Sequence, residues 1–432
     1  MPISNFTTHD VRFPTSAHGH GSDARNGDPD YSCAYLKLYD GAELLGQGLT
    51  FTIGRGNELC VAAVQTLAEK VIGYSLDDFE ADFGLASRLV LGDSQLRWLG
   101  PEKGVVHLAA AAVVNAVWDA LAKRAGLPLW RYVCSIDPDR LLDAVDFTHI
   151  SDFLAPEEAL EWLEELRPTR SLRIKHLEEA GYPAYTTSVG WIGYDDHQLI
   201  QRLLAAREEG WTHFKLKVGR DLEEDRRRCR LFRDTLGSEV KLSLDANQVW
   251  GRDEAIHWVG ALAEFDIHWI EEPVHPDDIL AHREVAKAIS PIGVASGEHA
   301  HNQVMFKQFL QARAIAFCQI DACRLAGVNE NLAVMLMARK AGIPVCPHAG
   351  GVGLCEYVQH LSMIDYVCLS GSMDGRVIEH AGDLHDHFEE PIDVRGGRYF
   401  PPKRAGYSVD LREESLGAFS FPDGSFWLQK RD

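Results

Sequence analysis

Three apolar runs, KLSLDAN, IHWIEEP and IGVASGE, carry acidic residues at their ends: Asp245, Glu271 and Glu298. The acids stand 26 and 27 residues apart, close to the roughly 30 residues per strand-helix unit when about 250 residues close eight units into a barrel. Any one of them alone is most simply a solvated surface carboxylate. Three at successive strand ends converge on one rim, where their oxygens repel unless a hard divalent cation sits between them. An oxygen-only donor set suits Mg²⁺ better than Zn²⁺, so the spacing predicts a Mg²⁺ site.

Between the runs lie GRDEAIHWVGALAEFD and PDDILAHREVAKAIS, with apolar residues at helical spacing behind Asp-rich openings. The alternation extends upstream through HQLIQRLLAAREEG, FKLKVG and EEDRRRCRLFRDTLG. Downstream it continues through AFCQIDA, NENLAVMLMARKAG, IPVCPHA, EYVQHLSMID and YVCLSG. Strand alternating with helix implies a parallel sheet with right-handed crossovers. The expected fold is α/β, a modified (β/α)8 TIM-like barrel with an N-terminal α+β capping domain. The expected division is a cap over residues 1–140, a barrel over 141–405 and a C-terminal segment, 406–432, returning to the cap.

Lys215 and Lys217 lie two apart in FKLKV and leave one face of the strand, while Phe214, Leu216 and Val218 leave the other. On a surface hairpin that face would be solvated. A parallel barrel strand has no solvated face, so the lysines point into the barrel mouth and are candidate bases. Asp321 ends AFCQIDA and His348 ends IPVCPHA, 27 residues apart. A carboxylate beside an imidazole fixes its tautomer and raises its basicity, which makes a proton-transfer pair. The plain alternative is a buried histidine held by a carbonyl, but the register with the acidic ladder favours the pair.

Taken together, Lys215, Lys217, Asp245, Glu271, Glu298, Asp321 and His348 resemble the site of the enolase superfamily, mandelate racemase subgroup. The strings VRFPTS, GSDARNGDPDYS, TFTIGRGNE, QLRWLGPEKGVVHLA, AYTTSVGW, DANQVW, CRLAGVNENLAVMLMA, PHAGGVGLCEYVQHL and PPKRAGYS are similar to L-fuconate dehydratases and the related fungal L-galactonate dehydratases. Sites of this superfamily use a Lys or His base with Mg²⁺ stabilising an enediolate. The resemblance implies that Lys217 takes the C2 proton of a six-carbon sugar acid. His348, oriented by Asp321, then protonates the departing C3 hydroxyl to leave a 2-keto-3-deoxy acid. It further implies that Lys215 lies against the substrate carboxylate and helps hold Lys217 neutral. Asn247 would contact substrate, and Glu379, in RVIEH after the last strand, would donate a hydrogen bond as a protonated acid. The cap loop HGHGSDARNGDPDYS would close over the substrate through Gly21, Ser22, Asp23 and Tyr31. His18 and His20 in the same loop lack a third ligand nearby and make a weak case for a metal.

L-Fuconate is the expected substrate, with L-galactonate the alternative. A racemase or epimerase would use the same Lys217 and His348. A lysine forming a Schiff base, as in metal-independent aldolases, would have no use for the acidic ladder. A non-catalytic relative would need none of these groups.

At 432 residues and 46% hydrophobic content the chain has a sizeable core. Its net charge of −21 argues against nucleic acid and anionic membranes as partners. An anionic sugar acid must therefore be drawn in by local positive charge, and a homo-oligomer is expected. The opening MPISNFTTHD shows no secretory pattern. The run GVVHLAAAAVVNAVWDALAKRAG is broken by His107, Asn115 and Asp119 and is expected as a buried cap helix. Nine cysteines, an odd number without CxxC spacing, fit reduced thiols in a cytoplasmic protein. The charged stretch 157–180 is expected as a helical insertion ahead of the first barrel strand.

Overall fold

The computed structural model describes residues 2–100 and 102–430. Met1, Pro101, Arg431 and Asp432, and with them the outermost ends of the expected cap and C-terminal segment, lie outside the described residues. The N-terminal part is an antiparallel meander of β1 (Asn5–Arg12), β2 (Ser32–Asp40) and β3 (Glu43–Thr52). Helix Gly104–Arg124 lies against β3 at backbone distance. A Cβ on Gly46 would fall 2.4 Å from the Ala116 carbonyl oxygen, and one on Gly48 would fall 2.2 Å from that of Ala112. Glycine within a strand here serves close approach.

That helix has a mean hydropathy of 1.7 and is long and apolar enough to cross a membrane, so its polar residues do not disqualify it as the sequence suggested. Its burial settles the matter, because 83% of the apolar window is covered by protein. The polar residues work inside the fold. His107 Nε2 meets Glu330 at 2.7 Å, Asn115 donates to the Ala322 carbonyl, and Asp119 accepts from the backbone of Gln47 and Tyr407. Two of these three tie the cap to the barrel.

The barrel strands are β4 (Tyr182–Thr186), β5 (His213–Lys217), β6 (Lys241–Asp245), β7 (Ile267–Glu271), β8 (Gly293–Ser296), β9 (Phe317–Cys318) and β10 (Ile378–His380). Neighbours pair in parallel from β4 to β9, and β10 returns to pair with β4. The remaining position belongs to the segment around Val345, which bridges Cys318. Prolines at 344 and 347 lack N–H donors, yet Cys346 and His348 donate to the carbonyls of Cys318 and Ile320 and carry the ladder onward. A short hairpin, β11 (Asp393–Arg395) and β12 (Arg398–Phe400), adds antiparallel to the start of β4.

The Asp-rich openings are helix N-caps, in which side chains of Asp195, Asp221, Asp278 and Asn302 each accept from a backbone N–H three residues on. Two expectations fail. YVCLSG is no strand: Asp365–Ser370 continues the helix Leu354–Ile364 as a wide π turn, because a short apolar run has no periodicity to separate buried helix from strand. Glu379 accordingly lies within the last barrel strand, β10, and not after it. The charged stretch forms helices Pro156–Leu166 and Arg170–Ala180, which pack on the Asp365–Ser370 turn. The first barrel strand therefore begins only at Tyr182, well beyond residue 141. In the C-terminal segment Tyr35 Oη donates to the Val409 carbonyl, Lys37 pairs with Glu413, and Phe421 N donates to the Asp10 carbonyl.

Gly48→Ala should destabilise the protein by about 1–3 kcal/mol, the usual cost of overpacking. Its urea midpoint should fall while the exposed control Gly41→Ala, which has φ +57° but open space, loses less. Equal losses would show that close packing on the helix is not what constrains Gly48.

Candidate active site

In-register pairing places Lys217 beside Asp245 and Asp245 beside Glu271 at the ends of β5, β6 and β7. Glu298 arrives by a different route. It lies two residues beyond β8, after Gly297 at φ +146°, where a Cβ would fall 2.3 Å from the Gln319 carbonyl oxygen. One oxygen from each of Asp245, Glu271 and Glu298 lies within 4.8 Å of the others, and all three residues are buried. Glu272, Glu298 and His299 form an adjoining group, with His299 Nδ1 2.9 Å from Glu272 and 3.1 Å from Glu298.

Lys217 Nζ is 2.5 Å from Asp245, and Lys215 Nζ is 2.6 Å from Glu271 and 2.7 Å from Glu379. His348 Nδ1 meets Asp321 at 2.7 Å while Nε2 stands 3.5 Å from Glu298. Asp321 is itself fixed, its other oxygen accepting from the backbone of Cys323 and Arg324. Five buried carboxylates, Asp245, Glu271, Glu298, Asp321 and Glu379, thus face three basic groups, Lys215, Lys217 and His348. Burial, reinforced by the charges of Asp245, Glu379 and Glu298, holds Glu271 well above the ordinary carboxylate range despite Lys215. The donor set is short of positive charge and entirely of oxygen, which fits a hard divalent cation.

Two groups feel opposed influences in the metal-free site. Burial alone would lower Lys217, but the charge of Asp245 outweighs both burial and the like charge of Lys215, so Lys217 is raised and holds its proton. Burial alone would raise Glu379, but Lys215, His348 and Lys217 pull it below its ordinary value in the metal-free site. It accepts from Ala349 N at 2.8 Å. His348 is pushed up to about 9: burial opposes this, and Glu298, the Asp321 hydrogen bond and Glu379 overcome it.

Lys217, Asn247, Glu298, Asp321, His348 and Glu379 floor a cavity of about 390 Å³ whose other lining includes Gly21, Asp23 and Tyr31 of the cap loop; Asp245 and Glu271 lie behind this lining. That volume suits a small organic ligand. The Asn247 side-chain carbonyl is buried without a partner among the described residues, which marks it for a ligand donor. Lys215 lies beneath the floor, against Glu271 and Glu379, and does not line the cavity. Ser22 does not line it either. Its hydroxyl donates to the Gly19 carbonyl and accepts from Gly193 N, which pins the loop to the turn after β4. Asp23 faces the cavity but accepts from Arg25 N, Asn26 N and Asn26 Nδ2, so it shapes the loop. Gly21 is required because a Cβ there would fall 2.6 Å from the Tyr31 hydroxyl. His20 meets Asp383 and Tyr194 at 3.2 Å each, a bridge between loops.

Sequence reasoning missed Trp191, Arg25, Phe51, Gln248 and His299. Lys217 Nζ lies 5.5 Å from the centre of the Trp191 ring. Arg25 donates to the carbonyls of Asn247 and Gln248, two residues at positive φ of 47° and 63°. His299, next to Glu298, and Glu272, next to Glu271, were within reach of the sequence; the distant Arg25 carried no signal.

Residues 29–133 match the family model described as mandelate racemase / muconate lactonizing enzyme, N-terminal domain, and residues 198–415 match that described as enolase C-terminal domain-like. The chain is 48% identical over 427 residues to L-galactonate dehydratase of Hypocrea jecorina, covering 98% of this chain and 94% of that one. It is 51% identical to human mitochondrial enolase superfamily member 1, whose crystal structure superposes with a TM-score of 0.97 over 99% of this chain and 98% of that one. A structure of L-talarate/galactarate dehydratase from Salmonella typhimurium, liganded with Mg and L-lyxarohydroxamate, shares the fold at 24% identity, with a TM-score of 0.73 over 95% of this chain and 90% of that one.

A histidine raised on folding contributes stability that is fully present below its unfolded value, about 6.5, and is lost as pH climbs through its folded value, here about 9. Metal-free protein should therefore lose thermal stability between those limits, and His348→Asn should flatten that part of the profile. Asp321→Asn should lower the pKa of the His348 ring in histidine NMR titrations. An unshifted ring would show that Asp321 does not set its charge.

Proposed function

The chain belongs to the mandelate racemase / muconate lactonizing enzyme family of the enolase superfamily, and on that premise we propose that it is an acid-sugar dehydratase using Mg²⁺, with L-fuconate as substrate. The observation that carries this reading is the presence of Lys217 and His348 in one cavity beside a buried, charge-deficient cluster of three carboxylates. Asp245, Glu271 and Glu298 would hold the ion. When bound, Mg²⁺ supplies the positive charge that makes the C–H beside a carboxylate acidic enough to remove.

Lys217 takes the C2 proton. In the bare site its proton is held by the charge of Asp245. With that charge engaged by the cation, burial and Lys215 remain, and both favour the neutral amine. His348 enters protonated, oriented by Asp321, and gives its proton to the C3 hydroxyl, which leaves as water. The resulting enol is protonated at C3, by solvent or by His348 once solvent has recharged it, and gives up its C2 hydroxyl proton, leaving the 2-keto-3-deoxy acid. Asn247 offers its free carbonyl oxygen to a substrate hydroxyl. Glu379, as a carboxylate, orients Lys215 and adds to the field that keeps His348 charged.

The cavity lining includes an apolar patch, Phe51, Ile53, Leu59, Val105 and Leu108, which suits the C6 methyl of L-fuconate, beside the polar Arg25, Asn26, Arg55 and Arg324, which suit hydroxyls. The fungal relative's name favours L-galactonate, which carries a C6 hydroxyl, as a second reading. The nine buried free cysteines support a reducing, cytoplasmic location.

The test is a panel of acid sugars with Mg²⁺, with and without EDTA, scored for 2-keto-3-deoxy product by semicarbazide absorbance. EDTA-sensitive product greatest from L-fuconate is the expected result. A maximum at L-galactonate changes the substrate and keeps the chemistry, and no product from any acid sugar removes the dehydratase reading. Lys217→Ala and His348→Asn should each lower kcat on the order of a thousandfold while Mg²⁺ still binds. Glu298→Gln should instead weaken Mg²⁺ affinity, and an unchanged metal titration would take it off the ligand set.

A further inference from the structure

Cys134 and Cys368 meet sulfur to sulfur at 3.1 Å, far from the cavity and 234 residues apart in sequence. Cys134 closes the helix Leu129–Ser135, and Cys368 lies in the π turn Asp365–Ser370. The contact is closer than unbonded sulfurs ordinarily pack, and only about 1 Å of approach separates it from an S–S bond of about 2.05 Å. Both residues are buried, Cys368 completely.

Their surroundings are unusual in a second way. Arg170 is 8% exposed and Arg173 9%. Arg170 donates only to the carbonyls of Cys134 and Ile136, and its Nε and Nη2 have no partner among the described residues. Arg173 donates to the carbonyls of Val367 and Leu166 and to the Thr169 hydroxyl. Neither guanidinium has a carboxylate within ion-pair distance among the described residues. A buried cation without a counter-ion is costly, and the anion within reach is a thiolate. Burial would push Cys368 up, but the hydrogen bond shared with Cys134 and the charges of Arg170 and Arg173 outweigh it and lower it.

We propose that Cys134 and Cys368 form a peroxide-sensitive dithiol that closes to a disulfide, stapling the helix Leu129–Ser135 to the end of the barrel's last helix. The Cys368 thiolate attacks one peroxide oxygen; the O–O bond breaks, a sulfenic acid forms, and the other oxygen leaves as hydroxide, which takes up the thiol proton as water. The Cys134 sulfur then displaces the sulfenic hydroxyl, the S–S bond forms, and a second water leaves with the Cys134 proton. Two thiols give up two electrons and two protons, and one peroxide becomes two waters. The arginines stabilise the thiolate that begins the sequence.

The experiment treats reduced, desalted full-length protein with hydrogen peroxide near neutral pH, then denatures it in alkylating agent and maps the peptides. Expected is the loss of two of the nine thiols, both in one cross-linked peptide pair carrying Cys134 and Cys368. Dithiothreitol should reverse it. Tm should rise by several degrees on oxidation, because the bond closes a very long loop. In Cys134→Ser, Cys368 should stop at the sulfenic acid and be trapped by dimedone. Arg170→Met should slow cross-linking about tenfold by removing thiolate stabilisation. Nine thiols remaining, or cross-links between other cysteines, would overturn the proposal, and an unchanged rate in Arg170→Met would overturn the role of the arginine.

Discussion

Negative charge gathered inside the barrel mouth is the constraint to which the rest of the site answers. Three carboxylates sit within 4.8 Å of one another, and Glu379 and Asp321 add two more nearby. Such a group is tolerable only against positive charge, and the barrel brings Lys215, Lys217 and His348 to it. The parallel ladder makes this possible, since in-register pairing puts the end residues of β5, β6 and β7 side by side. Burial and the neighbouring carboxylates keep Glu271 elevated, and the charge of Asp245 holds the proton on Lys217. A divalent cation held by Asp245, Glu271 and Glu298 would relieve both and, under the proposed reading, would leave Lys217 free to act as a base.

The cap completes what the barrel begins. Its loop is held on three sides: Arg25 on the carbonyls of Asn247 and Gln248, Arg220 on the carbonyl of Asp23, and Ser22 on Gly193. The Asn247–Gln248 turn is one that L residues seldom adopt, and such strain gathers at functional sites. Arg25 therefore braces a barrel turn from the cap. The same residue thus covers the cavity and positions the Asn247 turn, and the cap and barrel share a continuous core.

The sequence revealed what depends on spacing. The acidic ladder, the lysine pair and the Asp321–His348 pair stand at the ends of strand-length runs, and period alone places them on one rim. It was weaker where a run is short: YVCLSG is as apolar as a strand but continues a helix, and that displaced Glu379 from its own strand. It was silent on quantities set through space. That Glu379 pairs with Lys215 joins groups 164 positions apart in the chain, and that the Ser22 hydroxyl is engaged within the loop follows from Gly19 and Gly193. No local pattern records either. The cap-loop strings pointed to a segment that supplies Gly21, Asp23 and Tyr31 to the cavity lining, while the hydrogen bonds within that loop went unread.

The cavity's two ends are built from different physics, and this bears on selectivity under the proposed reading. At the floor, recognition rests on buried charges and on an unpaired Asn247 oxygen, so an analogue lacking the matching carboxylate or hydroxyl leaves polar groups unsatisfied and is rejected strongly. Elsewhere the lining mixes an apolar patch, Phe51, Ile53, Leu59, Val105 and Leu108, with Arg25, Asn26, Arg55 and Arg324. An apolar patch discriminates only about a hundredfold or less against an added hydroxyl. The stereochemistry around C2 and C3 should therefore be read far more strictly than the substituent at C6. L-Fuconate and L-galactonate then differ in degree as substrates, and a fungal relative named for the second is compatible with a chain that prefers the first.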